Sequence, residues 1–406
     1  MMFNKYSVFL FLLTSCICFG NIGGALQVDR ILAILLSPWL FSAIGKNGFG
    51  YARNIFKVLV LFYIYMALSY LWTPDKEEAV KEIVYFPVHF LLFTEIIVFA
   101  RYARNPLKSL SGGWTVAILL CSIVAFWEIT TGNHLSLAKE QGDVLNTGTV
   151  ILQHMTASVT FNNYNSYVTV LCFSIPWIFH VVISNDRRLF EKIIAISVLL
   201  MSFITIIINA SRGGVLTIVV MLAVYWLFSE KKRMKSILLM AIILLAGILL
   251  IRYGETITAV FVARTTAVES FSEESRLVIW MNALRALAHT LGFGVGIGGI
   301  TEALRMVDPN GVLSPHNMFV ELLVQYGIVI TLVVIVFLWK LFKKSLKVER
   351  CRKVVLMMAL ITMPIYMIID SGYLLGPHFY VLMATIYVFA NYELIKTTDV
   401  SLKKSK

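Results

Sequence analysis

Charge is what this sequence has least of. Charged residues make up 14% of the 406-residue chain against 59% hydrophobic, and a water-soluble fold of that length needs far more polar surface. Cysteines are few as well. Cys16, Cys18, Cys121, Cys172 and Cys351 lie in apolar runs or in a basic loop, which excludes a disulfide framework in the outward-facing segments described below. Metal-ligand spacing is also missing: His134 and His154 share a segment with Asp143 but sit too far apart to match any ligand motif. The glycine run Gly292-Phe293-Gly294-Val295-Gly296-Ile297-Gly298-Gly299 follows a helical pattern and has no strand before it, so it does not read as a nucleotide loop. No metal and no cofactor is expected, and neither tandem repeats nor low-complexity tracts occur.

What is present is apolar length. Runs near twenty residues recur throughout, each enough to cross a hydrocarbon core of about 30 Å. They predict spans at 6–23, 26–45, 55–73, 83–100, 110–130, 165–184, 192–210, 214–229, 236–253, 316–339, 354–370 and 376–391. The fold class implied is an all-α integral membrane protein of about twelve transmembrane helices, since a backbone in lipid must satisfy its polar groups within each segment. Five spans fill residues 1–131, a first outer loop covers 132–165, four spans fill 166–253, a large outer loop covers 254–315, and 316–406 hold three spans and a basic tail.

The net charge of +12 has a pattern that fixes orientation. Basic residues gather in alternate loops: Lys46/Arg53/Lys57, Arg101/Arg104/Lys108, Arg187/Arg188/Lys192, Lys231 to Lys235, Lys340 to Lys353, and the tail Lys403/Lys404/Lys406. Lys/Arg bias places such loops in the cytoplasm. Both termini are therefore expected inside a bacterial inner membrane, with the two long loops on the periplasmic side. The positive charge reads as topology, so no nucleic-acid partner is expected. Lys5, the apolar core after it and Cys16 resemble a secretion signal, but apolar character continues to Ile22 and predicts an uncleaved helix.

Within the large outer loop, Glu274 to Leu291 predicts an amphipathic helix lying along the membrane interface. Leu277, Ile279, Trp280, Leu284, Leu287 and Ala288 supply its apolar face, interrupted by Arg276, Asn282 and Arg285. Three outward-facing ionisable residues stand out. Arg212 sits in the short turn Ser211-Arg212-Gly213-Gly214, Arg276 opens the amphipathic helix, and His316 begins the tenth span in Ser314-Pro315-His316-Asn317. Transfer from a lipid diphosphate would use all three. Guanidinium forks bind phosphate oxygens bidentately and stabilise charge developing on a leaving diphosphate. A neutral imidazole can accept the proton of an attacking hydroxyl, and the helix start is expected to lower the His316 pKa. Residue type alone also allows blander roles: a snorkelling anchor for either arginine, a helix-start residue for the histidine, solvated headgroup contacts for Arg264, Arg285 and Arg305. Glu95, Glu128, Glu321 and Asp370 read as span caps or paired groups, or as a transporter's proton relay.

The order of these features resembles the O-antigen ligase and polysaccharide repeat-unit polymerase family. Thr160-Phe161-Asn162-Asn163-Tyr164-Asn165 is similar to its F-x-N-x-N stretch, and Ser211-Arg212-Gly213 to its S-R-[GS] turn. Arg276 through Gly299 is similar to its R-x-x-x-W-x-x-A-L…G-x-G-x-G segment, and His316-Asn317 followed by Gly327 to its H-N-x9-G motif. The resemblance covers roughly residues 150–340 and implies inverting, metal-independent glycosyl transfer. It places Arg212 and Arg276 on the donor diphosphate and makes His316 the catalytic histidine. Arg264, Asn317, Asn162 and Asn165 are the accompanying candidates for substrate contact.

The implied partners are an undecaprenyl-diphosphate-linked oligosaccharide, an acceptor glycan or lipid A-core, membrane lipids and a chain-length regulator. The modest outer loop, and Ile330 three positions after Gly327, incline the reading to a repeat-unit polymerase. A ligase acting on lipid A-core is the alternative, and a flippase or transporter the rival from another class.

Overall fold

A computed structural model of the chain describes residues 4–135, 156–161, 163–229, 273–309, 311 and 314–404. Regular structure among them is helical: α1 (Lys5–Ser15), α2 (Val28–Asn47), α3 (Arg53–Ser69), α4 (Lys76–Tyr102), α5 (Pro106–Thr131), α6 (Tyr164–Ile183), α7 (Leu189–Ile208), α8 (Arg212–Phe228), α9 (Glu273–His289), α10 (Ile300–Val307), α11 (Met318–Ser345), α12 (Arg350–Tyr366) and α13 (Pro377–Lys404), with short 3-10 turns between some of them. Among the described residues seven helical stretches are long and apolar enough to cross a membrane: Val28–Lys46, Gly50–Ser69, Lys76–Tyr102, Pro106–Thr131, Tyr164–Ile183, Leu189–Ile208 and Met318–Ser345. The protein is thus a multi-pass membrane protein whose described elements are all helical. Every expected span except 236–253, which lies outside the described residues, overlaps a described helix, although the first is α-helical only over Lys5–Ser15 and ends in a 3-10 turn at Cys16–Phe19. Most of the first long loop, residues 254–272 of the second, Arg264 and Asn162 also lie outside the described residues.

Several of the helices start at a side-chain cap. Asn4 accepts from the N–H groups of Tyr6 and Ser7, Asp75 from Glu78, Asn163 from Ser166 and Ser211 from Gly214. Each side chain satisfies a donor that the first helical turn leaves without a partner.

The chain divides into two compact units, one of residues 1–117, 275–344 and 370–406, the other of 118–274 and 345–369. In the first, α4 is the axis, with α1, α2, α3 and α13 packed on it. Its residues from Leu92 to Arg101 are buried without interruption, as expected of a helix apolar all round. On α3, Leu61, Ile64 and Leu68 face outward instead, which lipid tolerates and water does not. In the second unit α6 plays the axial part. It is buried from Tyr167 to Ile183 and packs on α7 and α12, while α8 packs on α12.

The glycine run proves to be a structural strap of the first unit. Gly292, Gly294, Gly296 and Gly298 all take positive φ (83°, 90°, 95° and 68°). On one side the N–H groups of Val295 and Gly296 donate to the carbonyls of Val324 and Gln325 at 2.8 and 3.0 Å, and Ile328 donates to Gly292 at 2.9 Å. On the other, Ile297 donates to Ser69 Oγ (2.9 Å) and accepts from Thr73 Oγ1 (2.8 Å), and Trp72 donates to Gly294 (3.0 Å). Gly327 (φ 81°, ψ 177°) breaks α11 to receive the strap. A Cβ on Gly294 would lie 2.5 Å from the Gly327 nitrogen, and one on Gly298 2.5 Å from that of Ala79. Backbones this close leave room for glycine alone.

The expected amphipathic helix is α9, but its faces differ from the sequence reading. It buries Ile279, Ala283, Ala286 and Leu287 against Val295, Ala303, Leu304 and Val324. Leu277 and Leu284, two members of the expected apolar face, are not part of this packing and are exposed together with Val278 and Met281. The small alanines let α9 approach α10 and α11 closely. Its bulkier residues at 277, 281 and 284 then form a second apolar stripe at i, i+4, i+7. Asn282, one of the interruptions, is buried and paired, donating to Asp308 (3.3 Å) and accepting from Arg285 (3.2 Å).

Candidate functional site

Arg276 and Trp280 stand one turn apart on α9. The indole N–H of Trp280 donates to the carbonyl of Pro315 at 2.8 Å, tying the helix that carries Arg276 to the residue before His316. Asn317 caps α11, its Oδ1 accepting from the N–H groups of Phe319 (3.0 Å) and Val320 (3.3 Å). Between these two fixings His316 adopts φ 46°, a left-handed conformation that costs a non-glycine residue energy and recurs at functional sites.

His316 is half-buried and Arg276 exposed. Burial, and secondarily the Arg276 cation, hold the His316 imidazole below its ordinary pKa, while Asp370 pulls the other way. The direction is the one expected from sequence, but burial and Arg276 produce it. A neutral imidazole beside a permanent cation is what a proton acceptor next to a phosphate-binding group requires.

Next to this loop lies a polar cavity of about 210 Å³. Glu78, Glu82, Glu321, Gln325, Tyr326 and Ser371 are among its lining residues, and Ser314 and Pro315 close it on the His316 side. Glu82 Oε2 accepts from the Gly298 N–H (3.0 Å), Gln325 Nε2 (2.6 Å) and the Tyr326 hydroxyl (3.3 Å). The Glu321 carboxylate receives the Gly372 N–H, at 3.0 and 3.2 Å to its two oxygens.

Arg212 belongs to the second unit and is exposed at the first position of α8. The turn before it is over-determined. Ala210 has φ 46°, and Ser211 Oγ accepts from Gly214 (3.3 Å). The Asn209 side chain grips Ala157 at both backbone groups, accepting at 2.8 Å and donating at 2.9 Å. The buried Glu128 carboxylate accepts from the N–H groups of Ser158 and Val159, both at 2.8 Å. Glu128 and Asn209 thus fix segment 156–161 beside the Arg212 turn. The paired-group reading holds for Glu128 and for Glu321. It fails for Glu95, whose two buried oxygens have no partner among the described residues.

Of the residues chosen from sequence, the structure therefore brings Arg276, His316 and Asn317 into one neighbourhood of the first unit. The Asn317 carbonyl is committed to capping, which leaves its amide nitrogen for a ligand. Asn165 is half-buried in the first turn of α6. Arg285 is held by Asn282, and Arg305 pairs with Glu302. Sequence reading missed Glu82, Gln325 and Tyr326; the one available signal was a carboxylate and an amide inside apolar runs. Among the described residues no group of three or more His, Cys, Asp or Glu is placed to hold a metal ion.

Comparison with known proteins gives two findings. Residues 196–335 match the family model described as O-Antigen ligase. The chain is also 26% identical over 365 residues to the teichuronic acid biosynthesis protein TuaE of Bacillus subtilis (strain 168), an alignment covering 82% of this chain and 73% of that protein. The matched interval contains Arg212, Arg276, His316 and Gly327, which carry the resemblance seen in the sequence.

Proposed function

From the match of residues 196–335 to the O-antigen ligase family model, we propose that this chain is a membrane glycosyltransferase of polysaccharide assembly. It moves a glycan from undecaprenyl diphosphate to an acceptor sugar at the periplasmic face. The acceptor hydroxyl attacks the anomeric carbon, the bond from that carbon to the diphosphate oxygen breaks, and the diphosphate leaves with the electron pair. The hydroxyl proton passes to an imidazole nitrogen of His316. Arg276 meets the charge gained by the leaving diphosphate, and the resemblance of Ser211-Arg212-Gly213 to the family's S-R-[GS] turn assigns Arg212 to the donor as well. One displacement at that carbon inverts its configuration.

The hydrogen bond from Trp280 to Pro315 carries this reading, because it keeps the Arg276 helix and the His316 loop together. Polymerisation, with a second lipid-linked repeat unit as acceptor, is the preferred form. Similarity to a protein named for teichuronic acid biosynthesis supports a role in building cell-surface polymer. Transfer to lipid A-core is the second reading, supported by the description of the matching family. Purified protein incubated with lipid-linked repeat units, with and without lipid A-core, separates the two. A ladder of longer lipid-linked chains formed without lipid A-core is the expected result. Glycosylated lipid A-core with no ladder would establish the ligase, and movement of the lipid across vesicle membranes without any transfer would overturn both.

A further inference from the structure

The cavity beside His316 has a chemistry unlike that of a phosphate site. Glu78, Glu82 and Glu321 line it, and among the described residues no lysine or arginine does. An anion placed there would therefore find no cation to pair with among them. A cation site is disfavoured for a different reason: Glu82 Oε2 already accepts from three donors, and the three carboxylates do not converge as metal ligands.

Two side chains have unused capacity. Gln325 is 6% exposed; its Nε2 serves Glu82 and Tyr326, while its Oε1 accepts no hydrogen bond among the described residues. Glu321, also 6% exposed, receives among the described residues only the backbone N–H groups of Gly372 and Tyr373, whereas a carboxylate has about four acceptor positions. Buried acceptors are costly when no donor reaches them, so their opening onto a cavity indicates a ligand rich in hydroxyl donors. The volume of about 210 Å³ equals that of about seven waters, the scale of one sugar ring.

We propose that this cavity is the subsite for the terminal sugar of the acceptor, with Glu321 and Gln325 accepting its hydroxyls and the reactive hydroxyl turned toward the His316 loop. The assignment rests on the glycosyltransferase reading given above. It adds a specificity: the sugar presents hydroxyl donors to the Glu321 and Gln325 oxygens.

The test uses the purified full chain and, as probe, the repeat-unit oligosaccharide released from its own lipid carrier by mild acid. Lacking diphosphate, that oligosaccharide can act as acceptor but never as donor. Binding is measured by calorimetry and transfer by the KM for this acceptor against the KM for the lipid-linked donor. Glu321→Gln is isosteric, and Thr301→Trp adds bulk at an exposed residue of the rim; a thermal melt checks that both variants fold. Both should weaken oligosaccharide binding about ten-fold or more, the scale of one lost hydrogen bond to a charged group. Both should raise the acceptor KM far more than the donor KM. Wild-type affinity in both folded variants, or no binding by the wild type, overturns the subsite. Oligosaccharide binding that depends on these residues, in a protein that transfers nothing, would uphold the saccharide site and overturn the transferase reading.

Discussion

His316 is the residue on which pH should act. Its pKa is held below 6.5 by burial and by Arg276, and raised by Asp370. The neutral, proton-accepting form therefore persists into mildly acidic solution, and the acid limb of kcat/KM should fall below the ordinary histidine value. Replacing Asp370 with Asn removes the anion that favours the charged imidazole, so the limb should move to still lower pH. Replacing Arg276 with Gln removes a cation that disfavours it, so the limb of the residual activity should move upward. A pH–rate profile of the three proteins checks the signs. A limb that did not move in either variant would separate His316 from the proton transfer. These residues were legible in the sequence because each is an ionisable group at the edge of an apolar run, where lipid leaves few reasons to keep one. Glu82, Glu321 and Gln325 were not legible as a group. Only the fold brings their positions to one cavity, and no local spacing announces it.

At the scale of elements, the helices were readable from apolar periodicity and caps, while their contacts were not. The inward face of α9 was not legible because small residues set its packing. Ala283 and Ala286 go inside with Ile279 and Leu287, while Leu277 and Leu284 of the apolar face read from sequence stay exposed. The glycine run was readable as a place of close backbone approach, but not as a strap running between residues 69–79 and the break in α11. Trp280 links the elements of the site, and its value lies in one N–H. Phenylalanine at 280 retains the ring packing and lacks the donor to Pro315. Turnover should fall roughly five-fold, equivalent to about 1 kcal/mol for one hydrogen bond, with little change in the thermal midpoint. A large drop in the midpoint with normal turnover would make Trp280 a packing residue only.

For the whole molecule, the alternation of basic loops makes a claim about sidedness. Thr301 lies at the rim of the cavity, and Lys347 in a loop rich in lysine and arginine. In a cysteine-free background, cysteine at 301 should react with a membrane-impermeant maleimide on intact spheroplasts. Cysteine at 347 should react only after permeabilisation. The reverse pattern would put the cavity on the cytoplasmic side and remove it from any periplasmic reaction. Within each unit the fold supplies rigid mounts: Trp280 and Asn317 for His316 in one, Asn209 and Glu128 for the Arg212 turn in the other. Such over-determined backbone suits electrostatic catalysis, which depends on groups already fixed before charge develops.

The most direct test compares purified wild-type protein with the Arg212→Ala, Arg276→Ala and His316→Ala variants on lipid-linked repeat units, scoring chain extension and the configuration of the new linkage. The account predicts inverted linkages from the wild type. It predicts a loss of about 100-fold or more when the histidine is removed, on the scale of general-base catalysis, and comparable losses for each arginine, with all three variants folded. Near-normal extension by the folded variants, or retained configuration in the product, would contradict it.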